Sequence, residues 1–217
     1  QEFQKFIKEV YGFSNDRKYS VWDILANVER ILMRGLKGIR KVDKKRITKN
    51  LLITLSWFAS LMNQMHINTE EDLWKRFPGV CSYCGKSPCV CQKTKQKERR
   101  RILPKMKRPR TISDFQAMFE NVYPSFRRNL DHAGIHLAEE MGELSEAFMA
   151  YRGDHGEKNF AKIRFEAADW LSCFVGVFNS LGLDIANELS KIFPKNCHEC
   201  KKAPCECSFE RVVNYRS

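Results

Sequence analysis

The 217-residue sequence contains no apolar run of the roughly 18–20 residues that a helix needs to cross a bilayer, which argues against a membrane span. Residues 1–10 mix polar and apolar side chains and lack the apolar stretch of a signal peptide. The chain starts at Gln1 rather than methionine, so a trimmed start is expected, with the cytoplasm as the expected compartment. Neither half alternates apolar and polar residues as a half-buried strand does. Only one of nine cysteines, Cys173, falls outside two short clusters, and its apolar neighbours predict a packed core thiol. What is present, 43% hydrophobic and 29% charged residues, suffices for a buried core and excludes a fibrous or disordered chain.

The formal charge of +12 is unevenly placed. Residues 92–110 hold ten Lys or Arg and one Glu, a net of +9, which leaves +3 for the rest of the chain. A solvated, self-repelling linker between folded halves is the favoured reading. A stretch that grips phosphates or a nucleic acid is the alternative.

An internal repeat organises the sequence. Cys81, Cys84, Cys89 and Cys91 are spaced C-x2-C-x4-C-x-C, as are Cys197, Cys200, Cys205 and Cys207. Each cluster has Pro before its third Cys and follows a Phe-Pro pair, Phe77-Pro78 or Phe193-Pro194. Upstream, Leu55, Ser56, Phe58 and Asn63 pair with Leu171, Ser172, Phe174 and Asn179 at an offset of 116. Phe3, Gln4, Val10 and Tyr11 pair with Phe115, Gln116, Val122 and Tyr123 at an offset of 112. The second copy has therefore gained four residues, most simply within 151–158. The expected division is one repeat over 1–91, a basic linker over 92–110 and a second repeat over 111–217.

Both copies read as helical. Ile24, Val28 and Ile31 recur at helical spacing, as do Ile135, Ala138, Met141, Leu144 and Phe148. A longer apolar helix is predicted over 160–181, matched by 47–65, and a short helix leads to each Phe-Pro. Ser113 is the predicted N-cap that opens the second copy, and Gly153 and Gly156 punctuate its central loop. The predicted fold class is all-α.

The carboxylates carry the chemistry. Glu140 and Glu143 are three residues apart and share a helix face. Glu166 and Asp169 repeat that spacing on a helix that is otherwise apolar, where carboxylates are costly unless protonated, paired or bound to a cation. Four carboxylates from two antiparallel helices form a hard oxygen cage suited to magnesium, which keeps waters and accepts phosphate oxygens. The competing reading has Glu140 and Glu143 on a solvated face, with Glu166 and Asp169 paired to Lys or Arg.

E-E-x-x-E over Glu139–Glu143 followed by E-x-x-D at Glu166–Asp169 resembles the MazG-like all-α nucleoside triphosphate pyrophosphohydrolases. The resemblance spans about 115–189 in full and 3–73 through the repeat. It implies that Glu140, Glu143, Glu166 and Asp169 bind Mg2+, with Glu139 as a supporting acid. It also implies cleavage of a nucleoside triphosphate between the α- and β-phosphates, with Glu143 or Glu140 as general base. Family members associate through helical bundles, so a tandem chain is expected to form a pseudo-dimer by itself, a further homodimer being compatible with it.

The first copy lacks the acids. With Ile24, Val28 and Ile31 set on Leu137, Met141 and Leu144, Glu140 and Glu143 become Asn27 and Arg30. Glu166 and Asp169 become Asn50 and Ile53, so a scaffold role is expected for this half.

Four cysteines within eleven residues suit a tetrahedral zinc site, with disulfides as the competing reading. Two structural Zn2+ are expected, each fastening the end of its own repeat, with His198 more exposed than ligating. Among weaker candidates for substrate contact are His136, near His132, together with Lys162 and Trp170. Lys162 and Arg164 flank Ile163, where the family resemblance implies a phosphate-facing Lys. The functional expectation is a magnesium-dependent nucleotide pyrophosphohydrolase. The alternatives are a zinc-containing nucleic-acid-binding module that uses the basic linker, and a nucleotide sensor without turnover.

Overall fold

The computed structural model describes residues 1–91, 104 and 106–215, and all regular structure among them is helical. In chain order the helices are α1 (Glu2–Ile7), a π-turn (Lys8–Gly12), α2 (Phe13–Lys18), α3 (Val21–Arg40), α4 (Lys44–Gln64) and α5 (Thr69–Arg76). There follow α6 (Ile112–Val122), a 3-10 turn (Ser125–Arg127), α7 (Leu130–Gly153), α8 (Glu157–Leu181), α9 (Ile185–Ile192) and α10 (Phe209–Val213). No helix among the described residues is long and apolar enough to cross a membrane.

Local chemistry sets the helix boundaries. Ser20 and Asp23 form a reciprocal capping box at the start of α3, and Asp43 caps α4. The second copy opens with Thr111 and Asp114 in the same arrangement, not with Ser113. Ser113 lies one residue inside the helix and donates instead to Asp184 at 2.9 Å. Asn129 caps α7, and Gly182 ends α8 in the left-handed conformation that glycine adopts without strain.

The predicted apolar stripes are buried except at Ile135, which is 57% exposed, and Ala138, which is half-buried. Ile24, Val28 and Ile31 face inward from α3, as do Leu137, Met141 and Leu144 from α7. Helix α3 pairs with α4, and α7 pairs with α8. The first hairpin is the tighter. A Cβ at Gly38 would lie 3.0 Å from the backbone nitrogen of Ile47, so only glycine permits that approach.

The chain forms two compact units, and their composition differs from the order of the repeats. Unit 1 comprises Gln1–Asn68 with Asn187–Ser217, and unit 2 comprises Thr69–Ala186. Each unit thus holds the long helices of one repeat and the cysteine cluster of the other. The expectation that each cluster fastens its own repeat is corrected accordingly.

The exchange has matched anchors. In unit 1 the amide of Cys205 donates to the carbonyl of Val10 at 2.7 Å. In unit 2 the amide of Cys89 donates to the carbonyl of Val122, the counterpart of Val10, at 2.8 Å. Phe193 meets Phe3, Phe6 and Tyr11 edge-on in unit 1, while Phe77 meets Phe119 and Tyr123 edge-on in unit 2. The physical reason for the crossing in unit 2 is ionic. Helix α5 docks on α8 through Asp72 with Arg164 and Arg76 with Asp169, and it carries the cluster that follows it to the same place.

Candidate functional site

Unit 2 brings three of the four expected carboxylates together. Glu140 and Glu143 project from α7 and Glu166 from α8, each offering an oxygen within 4.8 Å of the others. One oxygen each of Glu140 and Glu166 is buried, whereas Glu143 is exposed. Such a set of hard oxygens with an open side has the chemistry of a divalent-cation site.

Glu140 and Glu143 line a cleft of about 340 Å³ in unit 2. Arg127, Arg128, His132 and His136 line the same cleft, the two histidines from α7 itself. Arg128 donates to the carbonyl of Tyr123 at 2.9 Å, and its guanidinium lies against Gly176 of α8. A Cβ at Gly176 would come within 3.0 Å of Arg128 Nη1, so the absence of a side chain there seats the arginine. His132 and His136 approach at 3.3 Å, and burial, followed by the neighbouring His132, lowers the His136 pKa.

The first cysteine cluster supplies another wall, through Ser82, Tyr83, Cys89 and Cys91. Burial raises the Tyr83 phenol, and the carboxylates of Asp169, Glu143, Glu140 and Glu166 push it further in the same direction. Nothing in the sequence pattern pointed to Tyr83, Arg76, Arg127, Arg128 or Gly176.

Asp169 does not join the three glutamates as a fourth ligand. Arg76 grips it with two hydrogen bonds, Nε to Oδ1 at 2.9 Å and Nη2 to Oδ2 at 2.6 Å, and the pair is almost fully buried. Arg76 also lies over the Phe165 ring, 5.0 Å from its centroid. The competing reading of paired acids therefore holds for Asp169, while the other three acids cluster.

Other expected contacts divide as follows. His136 lies in the cleft wall. Glu139 stays outside the carboxylate cluster, 4.0 Å from His136 Nδ1. Lys162 pairs with Glu146 at 3.2 Å on the exposed side of the helices and does not line the cleft. Trp170 is 0% exposed and stacks on Phe174, so its ring is core and meets no nucleobase. Of the basic linker, residues 92–103 and 105 lie outside the described residues. Arg108 bridges Glu70 and Glu71 at 2.9 and 2.7 Å, so this cation is engaged within unit 2.

Both cysteine clusters have the geometry of a zinc site. In the first, sulfur pairs lie 3.5, 3.6 and 3.9 Å apart; in the second, 3.5, 3.8 and 3.9 Å. Zn–S bonds of about 2.3 Å in a tetrahedron require sulfurs roughly 3.8 Å apart, whereas a disulfide needs about 2 Å. All nine cysteines are free thiols. Each cluster brings its own four sulfurs within 4.8 Å of one another. The hydrogen bond from Cys205 holds Cys197 far below the ordinary thiol range, and the same contact drives Cys205 up. The group thus favours its first negative charge, which suits a cation. His198 is not a ligand and is not exposed; it packs on Phe193 and meets the Tyr11 hydroxyl at 3.2 Å.

Unit 1 has no acidic counterpart of the glutamate cluster among the described residues. Arg30 contacts Asn27 and donates to the carbonyls of Val212 and Val213, and Asn50 is fully buried, with its amide on the carbonyl of Arg46. Neither a protein-family model, nor a curated protein, nor a solved structure matches the chain.

Proposed function

We propose that the chain is a magnesium-dependent nucleotide pyrophosphohydrolase of the MazG-like type, with unit 2 as its catalytic part and unit 1 as a degenerate copy. The tandem, pseudo-dimeric arrangement of that family belongs to the same reading. One observation carries it: Glu140, Glu143 and Glu166 converge within 4.8 Å, and the first two line a cleft that Arg127 and Arg128 also line. The cleft volume of about 340 Å³ lies within the range of small-molecule sites.

Glu140, Glu143 and Glu166 would hold the magnesium ion. When bound, magnesium offsets the charge of the phosphates and of the departing pyrophosphate. Glu143, the exposed member, accepts the proton of the attacking water, and Glu140 and Glu166, each with one buried oxygen, would serve as ligands. Arg127 and Arg128 orient the phosphate chain across the cleft. The water oxygen bonds to the α-phosphorus as the bond to the bridging oxygen of the β-phosphate breaks, giving a monophosphate and pyrophosphate. Asp169 also lines the cleft, and in this scheme it serves through its pair with Arg76, which fixes α5 on α8. The cysteine clusters are structural, since four thiolates leave zinc no open position.

The test is a panel of common and modified nucleoside triphosphates with magnesium, scored for monophosphate and pyrophosphate. Turnover is expected with at least one of them and is lost when Glu143 becomes Gln. A folded protein that binds magnesium yet leaves the whole panel intact sinks the reading.

A further inference from the structure

We propose that Tyr83, held in the turn between Cys81 and Cys84, is a substrate-positioning residue whose hydroxyl donates a hydrogen bond to a phosphate oxygen of the bound nucleotide. The inference rests on the pyrophosphohydrolase reading of unit 2 and adds to it a residue from outside the two helices that carry the glutamates.

The first cluster is built into the cleft rather than appended to it. Ser82, Tyr83, Cys89 and Cys91 line the same space as Glu140 and Glu143. Three hydrogen bonds set its position. The Cys89 amide donates to Val122 at 2.8 Å, Arg127 donates to the Cys89 carbonyl at 3.2 Å, and the Cys81 amide donates to Lys86 at 3.1 Å. Tyr83 is 39% exposed and lines the cleft together with Glu140, Glu143 and Arg128. Carboxylate and phosphate oxygens only accept hydrogen bonds, so a phenol O–H in the cleft that Glu140 and Glu143 line supplies the phosphates with a donor. Two metal ligands flanking Tyr83 fix the turn that presents it.

The second cluster offers no such group. At the matching positions stand His198, packed on Phe193, and Glu199, an acceptor in place of a donor.

The experiment compares Tyr83→Phe with Glu199→Gln in the full chain. It reads zinc content, Mn2+ binding by electron paramagnetic resonance, and calorimetric affinity for α,β-imido nucleoside triphosphates of all common bases. For Tyr83→Phe, zinc and Mn2+ stay at wild-type levels while analogue affinity falls roughly tenfold, the scale of a hydrogen bond to a charged group. KM for the hydrolysed nucleotide rises by a similar factor with kcat within about twofold, and Glu199→Gln leaves all readings unchanged. Unaltered analogue affinity in Tyr83→Phe overturns the inference alone. A loss that follows lost zinc also overturns it, because the role is then structural. Failure of the wild-type chain to bind any analogue defeats the underlying reading, and this inference with it.

Discussion

The two units use one scaffold in opposite ways. In unit 2 the space beside α7 and α8 is a cleft of about 340 Å³ lined by Glu140, Glu143 and Asp169. In unit 1 the corresponding space is about 50 Å³ and is filled from within. Arg30, which stands where Glu143 does, donates to the carbonyls of Val212 and Val213, and Arg34 reaches the carbonyl of Tyr215. Phe209 of α10 stacks on Tyr19, and Lys49 lies over the Tyr215 ring. Of the four acidic positions only one is matched by a cation, Arg30, and backbone carbonyls of the chain satisfy it. An unfilled apolar and charged hollow would be costly, so these contacts stabilise unit 1.

The largest effect expected is on the exchanged clusters. Apparent zinc affinities of structural sites amount to roughly 10–16 kcal/mol, so losing a ligand should release the helices that a cluster touches. Cys205→Ser is expected to raise amide exchange at least about 100-fold over residues 2–18, in the other repeat from the substitution, and Cys89→Ser to do so over Ile112–Val122. Hydrogen exchange read by mass spectrometry decides this, and loosening in the same repeat as the substitution breaks the comparison. Next, Glu143→Gln should lower turnover by about three orders of magnitude, whereas Arg30→Gln at the matching place should change it less than about twofold. Pyrophosphate release measures both.

Third, Arg76→Leu leaves the Asp169 carboxylate buried and uncompensated, at a cost of about 3–5 kcal/mol to unit 2. Urea unfolding should also find Arg76→Leu with Asp169→Leu more stable than Arg76→Leu alone; equal stability would mean that the pair is not what fixes α5. The smallest effect belongs to Gly176→Ala, which displaces Arg128 by a few tenths of an ångström. A rise in KM of roughly threefold, with stability unchanged, is expected from steady-state kinetics. An unchanged KM would remove Arg128 from the phosphate wall.

Much of this was legible in residue spacing. The period-3.6 stripes fixed the long helices, the shared cysteine pattern marked the two clusters, and the i, i+3 acids placed Glu140 and Glu143 on one face. What spacing does not encode is a partner far away in the chain. Asp169 looked like a ligand because its helix is apolar; Arg76, which neutralises it, lies 93 residues earlier. The C-x2-C-x4-C-x-C pattern likewise says how four sulfurs meet and nothing about which helices they meet beside. Trp170 failed as a base-stacking candidate for a simpler reason: adjacency to an acid in sequence turns the next side chain about 100° round the helix, here into the core.

The reciprocal anchoring of Cys205 on Val10 and Cys89 on Val122 bears on what happens when the backbone is severed. A protease that nicks the chain anywhere in 92–110 makes two polypeptides, yet unit 1 still needs residues from both, and so does unit 2. The nicked molecule should travel as one species through a sizing column and come apart only in denaturant or chelator. Expressed singly, either polypeptide would hold a clasp with nothing of its own to close on.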